Sequence, residues 1–176
     1  MDERERNQVL TKLRETRDGF LSSVEGIAEK QAAWKPAPES WSALECAEHV
    51  AIVEKRMFNR LTAEVMPRAG GSAGVGREQT ILDSGADRSR KFQAPPAASP
   101  SGTFTTIEEA VEAFRMRRFE TIRWVENCRE DLRALQTNHP AFGEITAQEC
   151  LALLIIHPAR HALQVHELRQ HPQFPR

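Results

Sequence analysis

Cysteine is scarce and scattered in this chain of 176 residues: Cys46, Cys128 and Cys150 are the only three. An odd, widely spaced set makes neither a CxxC zinc pattern nor a disulfide framework. A reducing cytoplasm is the simplest compartment to expect. No apolar run approaches the roughly 20 residues that a membrane span needs. The longest, residues 151–156, suits a buried helix segment. The first residues, M-D-E-R-E-R-N-Q, have no apolar stretch, so no secretory signal is expected there. Charge of one sign is also missing: 24 Lys and Arg stand against 25 Asp and Glu, a formal net charge of -1. That balance, with no basic stripe, speaks against nucleic acid and acidic membranes as partners. The glycine-rich run A-G-G-S-A-G-V-G has no following G-K-[ST] and no preceding apolar strand, which excludes a phosphate loop. No internal repeat is evident, and no stretch reads as a strand.

What is present is helical periodicity. Hydrophobic content of 40% and charged content of 28% suit a soluble globular protein. Apolar residues recur at helical spacing in four segments: residues 2–27, 42–65, 106–128 and 145–170. Three of the four open with a capping box, Ser42 with Glu45, Thr106 with Glu109 and Thr146 with Glu149. In each, the hydroxyl accepts a free N–H and the carboxylate reaches back to another. Ile145 and Cys150 fit a hydrophobic staple around the last box. Residues 70–102, rich in Gly, Ser, Pro and Ala at both ends, read as a long connection between two helix pairs, with room for a short helix inside. Arg115 to Arg118 read as a solvated basic face with Glu112 and Glu120 near enough to pair. The architecture expected is all-α, a four-helix bundle with a long crossover between its second and third helices.

The last helix carries the chemistry. Its apolar stripe, Cys150, Leu153 and Leu154, runs into His157 and His161, then Gln164 and Leu168. Two imidazoles one turn apart on a core-facing stripe are costly unless something satisfies them. The H-x-x-x-H spacing aims both rings at one point, as in zinc proteases, but Pro158 stands where the protease glutamate would follow the first histidine. His49, on or beside the inward face of the second helix, offers a third ring. Three neutral imidazoles with an open position suit Zn²⁺, Ni²⁺ or Fe²⁺. The plainer reading is three core histidines satisfied by hydrogen bonds. His139, His166 and His171 fall in a turn, on the opposite helix side and near the end, and are left out. Glu45 and Gln164 are candidates to orient a ligand histidine. Arg56 and Arg160 are candidates to attract an anionic substrate, or are surface charge. Trp41, with Trp34, flanks the prolines of the first connection; such indoles form a binding platform or roof one end of the core. Pro158 removes one helical hydrogen bond, that of the Leu154 carbonyl, and a kink there would aim the two histidines.

At this point the chain resembles the DinB-like family of bacterial metal-binding four-helix bundles. The resemblance lies in W-S-A-L-E-C-A-E-H, residues 41–49, and H-P-A-R-H-A-L-Q, residues 157–164. Length, helix count and the long crossover agree, so it covers residues 1–176 as a single domain. It implies an up-down-down-up bundle, often a homodimer, with a divalent metal held by His49, His157 and His161. It also implies a small-molecule substrate, with low-molecular-weight thiols used by transferases or isomerases of the family. Pro158 between the last two ligands is the departure. The leading expectation is therefore a metal-dependent enzyme, thiol-transferring or hydrolytic. The alternative is a helical binding module whose metal, if held, is structural.

Overall fold

The computed structural model describes residues 1–70, 76–89 and 92–176. Gly71 to Val75, most of the glycine-rich run, and Arg90 and Lys91 lie outside the described residues. Four long helices dominate: α1 (Glu3–Val24), α3 (Ala43–Ala63), α5 (Ile107–Asn127) and α6 (Ala147–Gln170). A single turn, α2 (Glu29–Ala32), follows α1, and α4 (Glu78–Ser84) lies in the connection between α3 and α5. All three expected capping boxes form, at Ser42, Thr106 and Thr146. Asp2 caps α1 by accepting the Glu5 N–H. α1 ends at Val24 rather than running to Ile27, because Gly26 takes a positive φ of 70° that a helix cannot include.

α1 packs on α5 and α6, and α3 packs on the same two helices. Consecutive long helices α1 and α3 thus sit on opposite sides of the bundle. Their apolar faces form two clusters. One gathers Leu13, Met57, Leu61, Ile122, Val125, Leu151 and Leu154, and it includes the staple residues Ile145 and Cys150. The other gathers Phe20, Cys46, Val50, Phe114, Val165 and Leu168. Between these levels, along α3, α5 and α6, lie Glu54, Arg118, His157 and His161. Arg118 is fully buried and pairs with buried Glu54 at 2.8 Å. The expected solvated face therefore loses Arg118 to the core. Its neighbours keep to solvent, with Arg115 paired to Glu112 and Arg117 to Glu120.

A second difference is a small antiparallel sheet in the order β1-β2-β3. β2 (Leu135–His139) and β3 (Gly143–Thr146) form a hairpin with His139 opposite Gly143, and β1 (Met66–Pro67) adds to the edge of β2. These strands are short and mostly polar, so they lack the apolar alternation that would reveal them. No described helix is long and apolar enough to cross a membrane.

Candidate metal centre

The Ser42 cap fixes where α3 begins, and two turns later His49 lies buried against α6. His161 is buried to the same degree, and His157 is half-buried. The three rings converge through one kind of atom. His49 Nε2 lies 3.0 Å from His157 Nε2, and His161 Nε2 lies 3.2 Å from the same atom. One ligand atom from each residue falls within 4.8 Å of the others. Nitrogens held about 2.0–2.1 Å from a tetrahedral Zn²⁺ stand about 3.3 Å apart, so the spacing fits a common coordination sphere.

The outer nitrogens decide the tautomers. His49 Nδ1 is 2.6 Å from the Ala98 carbonyl, which only accepts, so Nδ1 carries the proton. His161 Nδ1 is 3.0 Å from Gln164 Oε1. The same Oε1 accepts from Arg88 Nη1 at 3.2 Å, and arginine only donates, so that atom is an acceptor and His161 Nδ1 also carries its proton. Both Nε2 atoms therefore present lone pairs to His157. A neutral His157 has at most one Nε2 proton for these two contacts, which leaves at least one of the two lone pairs without a donor of its own. A shared cation removes that deficit. Burial pushes the pKa of His49 below the ordinary value of 6.5. His157 and His161 lie well below it, through burial first and then the neighbouring imidazoles, with the Arg118 charge also acting on His157. Neutral rings are the form that ligates metal.

Among the other candidates, Trp41 packs over the cluster, its ring 4.7 Å from His49 and 6.1 Å from His161, centroid to centroid. Trp34 goes elsewhere, to His171 and Phe174 near the C-terminus. Gln164 touches a ring as expected. Glu45 does not: its carboxylate accepts the Ser42 N–H and the Lys35 ammonium, and the group that orients His49 is the Ala98 carbonyl instead. The cause is the capping box itself, which holds Glu45 at the helix end. Arg56 is exposed on α3. Arg160 is half-buried, its guanidinium 5.2 Å from the Phe92 ring and bonded to the Asp87 carbonyl. Burial, then the nearby Arg88 charge, pushes the Arg160 pKa down, so two cations share this rim.

Three contributors carry no signal in the sequence. Ala98 acts through its backbone. Arg88 reaches α6 from the connection and also pairs with Glu167 at 2.7 Å. Glu48, next to His49, accepts the backbone N–H groups of Ser101, Gly102 and Thr103 at 2.8, 3.2 and 3.0 Å, which ties the end of the connection to α3. The cysteines are buried and free, and burial pushes the Cys150 thiol up to about 12 and Cys46 higher still. Neither Cys46 nor Cys150 is an activated nucleophile.

Long packed helices around an inward cluster of three neutral imidazoles define a helical-bundle protein with a candidate divalent-metal centre. A family model described as the DinB superfamily matches residues 12–165, which span all three histidines, and the chain belongs to that family. The uncharacterized protein YuaE of Bacillus subtilis (strain 168) is 22% identical over 151 residues, covering 85% of this chain and 90% of that protein. The solved structure of YfiT from Bacillus subtilis matches with a TM-score of 0.61 at 14% identity, over 97% of this chain and 89% of that one. YfiT is described as "a probable metal-dependent hydrolase with an unusual four-helix bundle topology", and the likeness shows a shared four-helix-bundle fold.

Proposed function

We propose that the protein is a metal-dependent enzyme, a hydrolase or a thiol-dependent transferase, built as an up-down-down-up bundle. His49, His157 and His161 would hold a divalent cation, Zn²⁺, Ni²⁺ or Fe²⁺. The observation that carries this reading is the convergence of three Nε2 atoms, two with tautomers fixed as lone-pair donors. The description of YfiT as a hydrolase supports the reaction class. Bound there, a divalent cation supplies the Lewis acidity that eases proton loss from water or a thiol. The chain's own residues do the rest. Ala98 and Gln164 hold the ring orientations, and Trp41 covers the cluster. Arg160, whose charge acts on His157, favours a substrate with an anionic group on that side. A low-molecular-weight thiol with a carboxylate has that chemistry. A homodimer is the proposed assembly, with Met116 and Phe119, both exposed on α5, as apolar surface to bury.

One observation favours a second reading, a structural metal in a non-catalytic module. Among the described residues no carboxylate hydrogen-bonds to the three rings, so the cluster holds no evident general base. Elemental analysis of untagged protein beside the His49→Ala variant tests the centre. Near-stoichiometric metal in the wild type, lost in the variant, is the expected result; no uptake of Zn²⁺ or Ni²⁺ would sink it. Turnover of activated esters or of thiol conjugates, lost with the metal, separates the enzyme from the structural module.

A further inference from the structure

Pro158 lies between His157 and His161 and has no N–H, so the Leu154 carbonyl one turn earlier loses its helical donor. Leu154 is 1% exposed, and a buried carbonyl left unpaired is costly. The missing donor comes from another helix: Arg118 Nη2, on α5, is 3.0 Å from the Leu154 oxygen. The same guanidinium bonds the Glu54 carboxylate through Nε at 2.9 Å and Nη2 at 2.8 Å. Its Nη1 reaches the Leu13 carbonyl and Thr16 Oγ1, each at 3.2 Å. The five N–H groups of an arginine thus have five acceptors, on α1, α3 and α6. Thr121 donates to Glu54 Oε1 at 2.8 Å and completes the network. Glu54 belongs to α3, the helix that carries His49, and Leu154 to α6, the helix that carries the other two rings.

A buried ion pair alone is weak evidence of any role, because apolar residues often replace one without loss. Here a hydrophobe has nothing to offer the Leu154 carbonyl. We propose that Arg118, fixed by Glu54, is a positioning residue: it substitutes for the N–H that Pro158 lacks and so holds α6, with His157 and His161, in register with His49 on α3. This inference rests on the reading of the three histidines as a metal centre.

The test is a cycle of four proteins: wild type, Pro158→Ala, the double variant Glu54→Met with Arg118→Met, and all three changes together. Replacing both members of the pair leaves no unpaired buried charge. Two readouts are taken, the thermal midpoint of metal-free protein and Co²⁺ binding by affinity and visible absorption band. The double variant should lower the midpoint with Pro158 present and much less in the Pro158→Ala background, where the alanine N–H serves Leu154. Co²⁺ affinity should fall at least tenfold, with a changed band, in Pro158→Ala and in the double variant. Folded variants that bind Co²⁺ with wild-type affinity and band would reduce the pair to a structural one and overturn the proposal. If the double variant does not fold, Pro158→Ala alone decides on the same two Co²⁺ criteria. Wild-type protein that takes up no Co²⁺ overturns the metal reading and the positioning role with it. That failure is distinguishable, because the metal-free cycle would still report whether Pro158 and Arg118 are coupled.

Discussion

Glu48 and His49 are adjacent in sequence and divide one task, holding residues 98–103 against α3. His49 donates to the Ala98 carbonyl, and the Glu48 carboxylate accepts three backbone N–H groups just beyond it. Burial raises the Glu48 pKa, but the N–H groups of Ser101, Thr103 and Gly102 outweigh it and hold the carboxyl below its ordinary 4.5. Its stabilisation is therefore present above that value and is lost as pH falls through the folded pKa. Glu48→Gln should cost about 2 kcal/mol, as hydrogen bonds to a charged group contribute about 1.5–3 kcal/mol. Urea denaturation measures it, and metal affinity should fall too as Ala98 loosens from His49. The imidazoles give a second pH dependence. Each of the three has a folded pKa below the unfolded 6.5, so the unfolded chain takes up protons first. Metal-free protein should lose stability as pH drops from about 7 toward 5. A variant with all three changed to Ala should show a shallower loss. A residual slope is expected from His139, pushed down to about 4 by burial and then by the Arg60 charge. A midpoint independent of pH over this range in the wild type would contradict the neutral, buried cluster. The three histidines were legible because their spacing on apolar stripes is a local pattern. Ala98, Arg88 and Arg118 were not, because their partners lie tens of residues away and Arg118 sits in a run of ordinary surface arginines.

At the scale of elements, side chains that satisfy helix ends were easy to read, since cap and box partner lie three residues apart. Ser42, Thr106 and Thr146 each do what that spacing requires. Thr146 carries an added load, because its partner Glu149 also accepts from Arg77, at 2.9 Å, and so ties the start of α4 to the start of α6. Thr146→Ala should cost about 1 kcal/mol, the usual value of a lost cap, and lower the thermal midpoint by about 2–4 °C for a chain of this size. Metal stoichiometry should not change, because the cap lies three turns from His157; a metal loss as large as that of His49→Ala would mean that α6 aims its histidines from its end and not from Pro158. The hairpin was illegible for the opposite reason. β2 is held by pairing with β3 and β1, not by an apolar face of its own, and Leu-Gln-Thr-Asn-His has no strong strand pattern. Residues 138–143 read as a turn, and Gly143 takes a φ of 67°, but a turn reading does not show that the chain folds back into paired strands, with His139 in one of them.

At the scale of the molecule, periodicity reveals four helices but not which ones touch, because every amphipathic helix presents the same kind of stripe. The pairing of α1 and α3 with α5 and α6 emerges only from packing, and the polar layer of Glu54, Arg118, His157 and His161 gives that packing a register that interchangeable apolar faces would not. The long connection between α3 and α5 is fastened near the imidazoles at several points. Ala98 meets His49, Arg88 meets Glu167 and Gln164, Asp87 accepts from Arg160, and residues 101–103 meet Glu48. A cation shared by His49 on α3 and by His157 and His161 on α6 would add a direct link between two helices that already pack and lie far apart in sequence. Such a ligand binds only the folded chain, so its free energy adds to stability by mass action: about 2.7 kcal/mol at a free concentration 100 times Kd. At roughly 2–4 °C per kcal/mol for this size, Zn²⁺ at that level should raise the thermal midpoint by about 5–10 °C, and the rise should grow with the logarithm of metal concentration. His157→Ala should remove most of it. A midpoint unmoved by saturating Zn²⁺ or Ni²⁺, in protein first stripped with a chelator, would mean that the three rings are held by one another and by Ala98 and Gln164 alone, and the reading of this cluster as a metal centre would fail.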